Sequence, residues 1–301
     1  MNKTELIQFL RANEIWAKRT MGQNFLVDND VLGKIIEAAD IKPSDTILEI
    51  GPGLGTLTAE LLKRAGEIVT IERDDKLAGL LNCSIAQLLS DRGSNSTIQQ
   101  FNNEKLRVIN DDALKVNIEE LIGDKPYKVV ANIPYNITSP IIRKFLETEH
   151  KPELMVLMVQ KEVAERIVAK PGDMSLLSIS VQFYAEAEIV DLVKAESFFP
   201  VPKVDSAIIK LTAKSQKLAA DEKSYFRLVK FGFAARRKTL ENNLAAGLHI
   251  EKSIAADIIR KTGLDAKIRA EDLSVANWLS LYKVIKEGND GEGTRRSSQK
   301  N

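Results

Sequence analysis

The 301-residue chain reads as an α/β protein, an open doubly wound sheet followed by a small all-helical domain. Three observations predict this. Short apolar runs alternate with helix-periodic segments between residues 46 and 211, the order of strands and helices in such a sheet. Within "DTILEIGPGLGTLTAELLKRAGEIVTIERD" (45–74) the connections are very short, which implies parallel strands joined by a right-handed crossover. Beyond residue 213 strand patterns stop, and only helix patterns remain.

Taken in order, residues 3–14 predict a short amphipathic helix, and the connector "AKRTMGQNFLVDND" leads to a second helix near 29–40 that Asp28 or Asn29 can cap. The crossover follows, with a strand at Thr46–Ile50, a helix at Thr56–Lys63 and a strand at Glu67–Ile71. A helix over about 75–90 precedes the polar insertion 90–104, which reads as a mobile loop. Further strands are expected at Leu106–Ile109, Lys128–Ala131, Leu154–Val159, Ile179–Tyr184 and Ala207–Leu211, with helices near 138–147 and 160–169. "YFRLVKFGFAARRKTLENNLAAG", "SIAADIIRKTG" and "SVANWLSLYKVIKEG" are the helices of the second domain. This divides the chain into 1–213, a helical domain 214–287, and a tail 288–301 whose lack of apolar residues predicts disorder.

Composition excludes several classes. One cysteine, Cys83, permits no intramolecular disulfide or cysteine zinc cluster, and two histidines make a metal site unexpected. The polar start "MNKTELIQFLRANEIW" has no signal-peptide core, and no apolar stretch of about 18 residues exists to span a membrane. A cytoplasmic protein is expected, and the lack of a sustained apolar seam predicts a monomer. Net charge is +1, but its distribution is uneven. Residues 1–205 hold 24 Lys/Arg against 31 Asp/Glu, whereas 206–301 hold 19 against 11, as in a basic module that meets an anion.

The glycines at 51, 53 and 55 follow a strand and precede a helix. Glycine allows the tight turn and close backbone approach to a ligand. A dinucleotide fingerprint would need its third glycine at 56, where Thr56 stands. The spacing instead resembles the loop of S-adenosylmethionine-dependent methyltransferases. Glu72, 21 positions after Gly51 at the end of the next strand, can accept hydrogen bonds from both hydroxyls of a ribose. At the third strand's end Asp111 or Asp112 can accept from an adenine amino group, with Ala113 against the ring. All three lie at strand carboxyl ends, where open sheets bind ligands.

"VVANIPYN" (129–136) ends the fourth strand in the same crevice. Asn132-Ile133-Pro134-Tyr135 resembles the motif of methyltransferases acting on exocyclic amino groups of nucleobases. An adenine N6 lone pair is delocalised and a poor nucleophile. The Asn132 side-chain oxygen and a backbone carbonyl, that of Ile133, can accept its two N–H groups and concentrate charge on nitrogen. Pro134 stiffens the loop, and Tyr135 offers a face to an extruded base.

Over residues 17–285 the chain resembles the small-subunit (16S-type) rRNA adenine N6,N6-dimethyltransferases. The match rests on "MGQNFLVD", "LEIGPGLGTLT", "ER" (72–73), "DDALKV", "NIPYNITSPII", "VQKEVAERI", "FFPVPKVDSAI" and "FAARRKTLENNL". The resemblance implies a Rossmann-like methyltransferase sheet, S-adenosyl-L-methionine as cofactor, and dimethylation of two neighbouring adenines near the 3′ end of 16S rRNA, with a part in subunit assembly. It implies that Gln23, Asn24, Leu26, Gly51, Gly53, Glu72, Arg73, Asp112, Ala113 and Asn132 hold the cofactor. Phe198 would form the wall of the base pocket opposite Tyr135. Arg236, Arg237 and Lys238, with Arg227 and Lys230 near them, form a cationic helix face for RNA, and Lys18 and Arg19 add charge beside the cofactor entrance. The alternatives are a 23S-type adenine methyltransferase of the macrolide-resistance kind, a catalytically idle assembly or transcription factor, and an NAD oxidoreductase that the glycine spacing disfavours.

Overall fold

The computed structural model describes residues 3–18, 21–90, 104–214 and 221–298, without the side chains of 87–90 and 289–298. Contacts divide the chain into two compact units, 1–165 with 185–213, and 166–184 with 214–301.

The first unit opens with α1 (Lys3–Ala12), β1 (Phe25–Leu26) and α2 (Asn29–Ala39). It continues with β2 (Thr46–Ile50), α3 (Thr56–Leu62), β3 (Glu67–Glu72), α4 (Asp75–Ser90), β4 (Leu106–Asn110) and α5 (Ile118–Ile122). Then come β5 (Tyr127–Asn132), α6 (Thr138–Glu147), β6 (Leu154–Gln160) and the start of α7 (Lys161–Ile167). After α8 (Leu176–Tyr184) in the second unit, the chain returns as β7 (Ala185–Val193), β8 (Phe198–Phe199) and β9 (Ser206–Ala213). The seven-stranded sheet has the order β4-β3-β2-β5-β6-β9-β7, parallel from β4 to β6 and antiparallel at β9 and β7. β2 is buried along its whole length, as in a parallel strand covered on both faces. Ile35 of α2, Leu61 of α3 and Leu81 of α4 join Ile47, Ile68, Val130 and Val156 in the core. β1 pairs antiparallel with β8, Phe25 opposite Phe199 and Leu26 opposite Phe198.

Asp28 caps α2 by accepting from the backbone N–H groups of Asp30 and Val31, which satisfies two orphan donors of its first turn. Gly55, at φ +78°, starts α3, and a Cβ there would lie 2.6 Å from Ile85 Cγ1 and 2.9 Å from Leu81 Cδ1. Gly55→Ala therefore combines left-handed strain with overpacking. Urea unfolding should show a loss of about 2–4 kcal/mol with an unchanged m value.

Residues 179–184, expected as a strand, are helical. Ser175 and Ser178 cap α8 reciprocally, Ser175 Oγ accepting from Ser178 N at 3.2 Å and Ser178 Oγ from Ser175 N at 2.5 Å. The alternation of Ile179, Val181 and Phe183 imitated a strand, and all three are buried. The strand, β7, begins one residue later. "AEAEIVDLV" opens with alternating Ala and Glu, poor β-formers, and puts Glu186 and Glu188 at an exposed sheet edge, where charge prevents further pairing.

The second unit consists of α8, α9 (Glu222–Gly232), α10 (Leu240–Leu248), α11 (Lys252–Lys261) and α12 (Val275–Ser298). Its core centres on Trp278, Tyr225, Phe183, Leu240 and Leu273. Residues 166–184 thus group with the helices after 213 rather than with 1–213, because Ile179 and Phe183 bury against Tyr225 and its neighbours. α12 runs to Ser298, into the segment expected to be disordered. Its buried start at Trp278 and Leu281 nucleates the helix, and each further residue then adds one backbone bond.

Candidate active site

The site lies at the carboxyl ends of β2, β3, β4 and β5, in one cleft of about 1130 Å³ counted with its open mouth. β2 delivers the glycine turn, and Gly51 N donates to Ile71 O at 2.9 Å. Gly53, at φ +58°, turns its N–H onto Glu72 Oε2 at 3.1 Å, and a Cβ there would press into the Phe25 ring at 3.2 Å. Bare backbone is required at this point.

Glu72 Oε1 accepts from Asp74 N at 2.9 Å, so both oxygens are aimed by main-chain donors and keep lone pairs for a ligand. Burial raises its pKa, while the Asp74 and Gly53 N–H groups pull it down. Arg73 extends from the same turn to within 3.8 Å of Asp112. Asp112 Oδ1 accepts from Leu114 N at 3.0 Å, which shapes the turn that presents buried Ala113. Lys144 of α6 holds this turn from behind, donating to Ala113 O at 2.8 Å and Val116 O at 2.5 Å.

Opposite the glycine turn, the end of β5 carries Asn132. Its Nδ2 donates to Asn24 O at 3.0 Å. That bond fixes which end of the amide is which. The N–H side is committed to the 21–26 segment, and Oδ1 has no donor among the described residues, so it is the free acceptor on the cleft. The Ile133 side chain is buried, which anchors the carbonyl beside it. Pro134 (φ −53°) precedes a single 3₁₀ turn, Tyr135–Ile137. The Tyr135 phenol lies 2.5 Å from Ser206 Oγ, and burial raises its pKa against the lowering effect of that bond, so it stays protonated near neutral pH.

Gln23, Asn24 and Leu26 all line the cleft. Gln23 is also a strut, its Oε1 accepting from Lys18 N at 2.7 Å and its Nε2 donating to Asp74 Oδ2 at 3.1 Å.

Three expected placements differ in the structure. Phe198 is 0% exposed, belongs to the core cluster of Leu26, Val31, Met158 and Ile208, and is not among the residues lining the cleft. Lys18 is paired with the buried Asp74 at 2.7 Å and is not a free cation. Arg236, Arg237 and Lys238 are exposed but sit on the turn between α9 and α10, not on a helix face. The turn is set by buried Asn243, whose Nδ2 donates to Gly232 O at 2.6 Å and Ala235 O at 3.1 Å. Arg19 lies outside the described residues.

Sequence reasoning missed Glu49, a cleft residue only 1% exposed. Its Oε2 accepts from Thr58 Oγ1 at 2.6 Å, and burial, with the nearby Glu72 charge, pushes its pKa up to about 8 against that bond. The signal was available, a charged residue inside the apolar run "TILEI" two places before Gly51. Unfolded, Glu49 ionises near 4.5; folded, it keeps its proton to about pH 8, so stability falls as pH rises through this window. Glu49→Gln should remove that loss. Its stability relative to wild type in urea should improve between pH 5 and pH 8 by on the order of 2–4 kcal/mol.

The mostly parallel sheet, the bare glycine turn, the carboxylate aimed by main-chain donors and the oriented amide at one crevice define a Rossmann-like methyltransferase, a class whose fold implies use of S-adenosylmethionine. A model of the ribosomal RNA adenine dimethylase family matches residues 16–287, and the chain belongs to that family. It is 46% identical over 269 residues to the ribosomal RNA small subunit methyltransferase A of Dehalococcoides mccartyi strain CBDB1, covering 88% of this chain and 87% of that protein. To the protein of the same name from Clostridioides difficile strain 630 it is 39% identical, with 89% and 90% covered. Among solved structures, a dimethyladenosine transferase from Plasmodium falciparum aligns with a TM-score of 0.70 at 30% identity, covering 88% of this chain and 98% of that one. The 23S rRNA methyltransferase ErmE aligns with a TM-score of 0.68 at 28% identity, covering 87% and 100%. Among the described residues no group of His, Cys, Asp and Glu is arranged to hold a metal ion, and no helix is long and apolar enough to cross a membrane.

Proposed function

We propose that this chain transfers methyl groups from S-adenosylmethionine to N6 of two adjacent adenines near the 3′ end of 16S rRNA, in the small ribosomal subunit, and takes part in biogenesis of that subunit in the cytoplasm. The observation that carries the reading is the Asn132 amide, tied by its N–H to Asn24 O, in the same cleft as Glu72.

The cleft fits the cofactor. Glu72 keeps acceptor capacity for two ribose hydroxyls, and the glycine turn leaves the space a side chain would fill. In this reading Asp112 takes the adenine amino group with Ala113 against the ring. Gln23, Asn24, Leu26, Gly51, Gly53 and Arg73 surround the rest. S-adenosylmethionine supplies an electrophilic methyl group on a sulfonium. The chain's own contribution is placement and charge. Asn132 Oδ1 and the Ile133 carbonyl accept the two N6 hydrogens and stabilise the charge that builds as nitrogen turns tetrahedral. Tyr135 stacks on the extruded base. No strong base is needed, because the methylated ammonium is acidic and loses its proton to water.

Arg236, Arg237 and Lys238 hold phosphates in this reading. Replacing all three with Gln should weaken small-subunit binding with little regard to sequence. It should also make the slope of log affinity on log salt shallower by about 2–3, measured by filter binding between 50 and 200 mM salt.

Primer extension on rRNA from a strain lacking the gene tests the substrate. Loss of the stop at the paired small-subunit adenines, restored by the wild-type gene and not by Asn132→Ala, supports the proposal. An unchanged stop there with a missing one in large-subunit rRNA supports the 23S alternative instead.

A further inference from the structure

We infer that Ser206 is a positioning residue for methyl transfer, holding the Tyr135 ring as a fixed platform for the target base. The inference deepens the reading of Tyr135 given above and rests on it. Two ends of the ring are held. At the backbone end, Tyr135 starts a 3₁₀ turn straight after Pro134, closed by Ile137 N donating to Pro134 O at 3.1 Å. At the far end, the phenol oxygen and Ser206 Oγ share a hydrogen bond of 2.5 Å.

The anchor belongs to the sheet. Ser206 is fully buried, is the first residue of β9, and lies in register between Gln160 of β6 and Val193 of β7. A phenol hydrogen bond prefers the plane of its ring, so the contact stops the ring swinging about χ1 and biases its rotation about χ2. The phenol keeps its proton, which preserves the bond across the working pH range. Among the described residues two aromatic side chains line the cleft; Phe25 lies over Gly53, and Tyr135 is the ring that lines it together with Asn132, three residues before it in the chain. A platform held before the base arrives gives up no rotamer freedom on binding. Ser206 itself has no exposed surface and touches no substrate; it acts through Tyr135.

The test uses the full-length protein, undermethylated small subunits and labelled cofactor, with four variants: Tyr135→Phe, Ser206→Ala, their double, and Tyr135→Ala. Cofactor affinity is measured by calorimetry on the same samples. Each single removal of the bond should lower kcat/KM for the subunit about three- to tenfold, with cofactor Kd unchanged within twofold. The double variant should be no worse than either single, because one shared interaction is lost only once. Wild-type kcat/KM in Tyr135→Phe overturns the inference, as does a double variant whose losses multiply. Should Ser206→Ala not fold, Tyr135→Phe decides alone, since it leaves the core of β9 intact. Tyr135→Ala separates the two claims. A loss of a hundredfold or more upholds the platform whatever Ser206 does, whereas near wild-type activity removes the Tyr135 reading and the inference with it.

Discussion

Asn132→Ala should lower kcat for methyl transfer by about 10²–10³ and change cofactor Kd by less than about tenfold. The expectation follows from what the side chain does with each end. Its Nδ2 is bonded to Asn24 O at 3.0 Å, so the amide cannot rotate to offer nitrogen to the cleft. In the proposed reading it offers Oδ1 as a preorganised acceptor where positive charge develops on the attacking nitrogen. Loss of one such group costs about 2.7–4 kcal/mol of transition-state stabilisation. Asn132→Asp is the sharper variant. It keeps an acceptor but loses the donor to Asn24, and sets an oxygen against the Asn24 carbonyl. It should be impaired although it still carries a carboxyl oxygen. Single-turnover transfer with saturating cofactor and subunit separates this chemical loss from binding.

Glu72→Ala should raise cofactor Kd by about 10²-fold. Hydrogen bonds to a charged group contribute about 1.5–3 kcal/mol each, and two ribose hydroxyls would lose such an acceptor. The change also strands Gly53 N and Asp74 N, which the two carboxylate oxygens now satisfy. Affinity should depend on pH in a stated direction. Burial has raised the Glu72 pKa above its ordinary 4.5, and in the proposed reading the carboxylate form holds the ribose. Kd should therefore rise as pH falls, beginning above the ordinary carboxylate range, and Glu72→Gln should abolish that dependence. Calorimetric titration of cofactor into wild type and variant between pH 5 and 8 measures both effects.

Much of this site was legible because its chemistry is local in sequence. The glycine turn, Glu72, Asp112 and Asn132 each sit at or just past the carboxyl end of a strand, and a parallel sheet must bring those ends to one side. What the sequence did not show depends on long-range packing. Phe198 was expected as a wall of the base pocket, and its place in the core had no local signal, because nothing near 198 in sequence announces its partner Leu26. Lys18 was expected to add charge beside the cofactor entrance, and its pairing had no local signal because its partner Asp74 lies 56 positions away. The 179–184 alternation was compatible with a strand, and the choice fell to the serine cap and to the helical core that takes Ile179 and Phe183. β7 escaped notice because an edge strand needs only one apolar face, and alternating Ala and Glu carries little signal. Glu49 was overlooked because a single acid in a strand seldom stays neutral; here complete burial beside Glu72 makes it so.

Nucleoside mass spectrometry of purified ribosomal subunits after incubation with protein and S-adenosylmethionine tests the central claim most directly. Undermethylated small subunits should gain two N6,N6-dimethyladenosines per subunit, at neighbouring positions near the 3′ end, with none on large subunits and none from Asn132→Ala. Dimethyladenosine on large-subunit rRNA alone, or equal incorporation by wild type and Asn132→Ala, would contradict it.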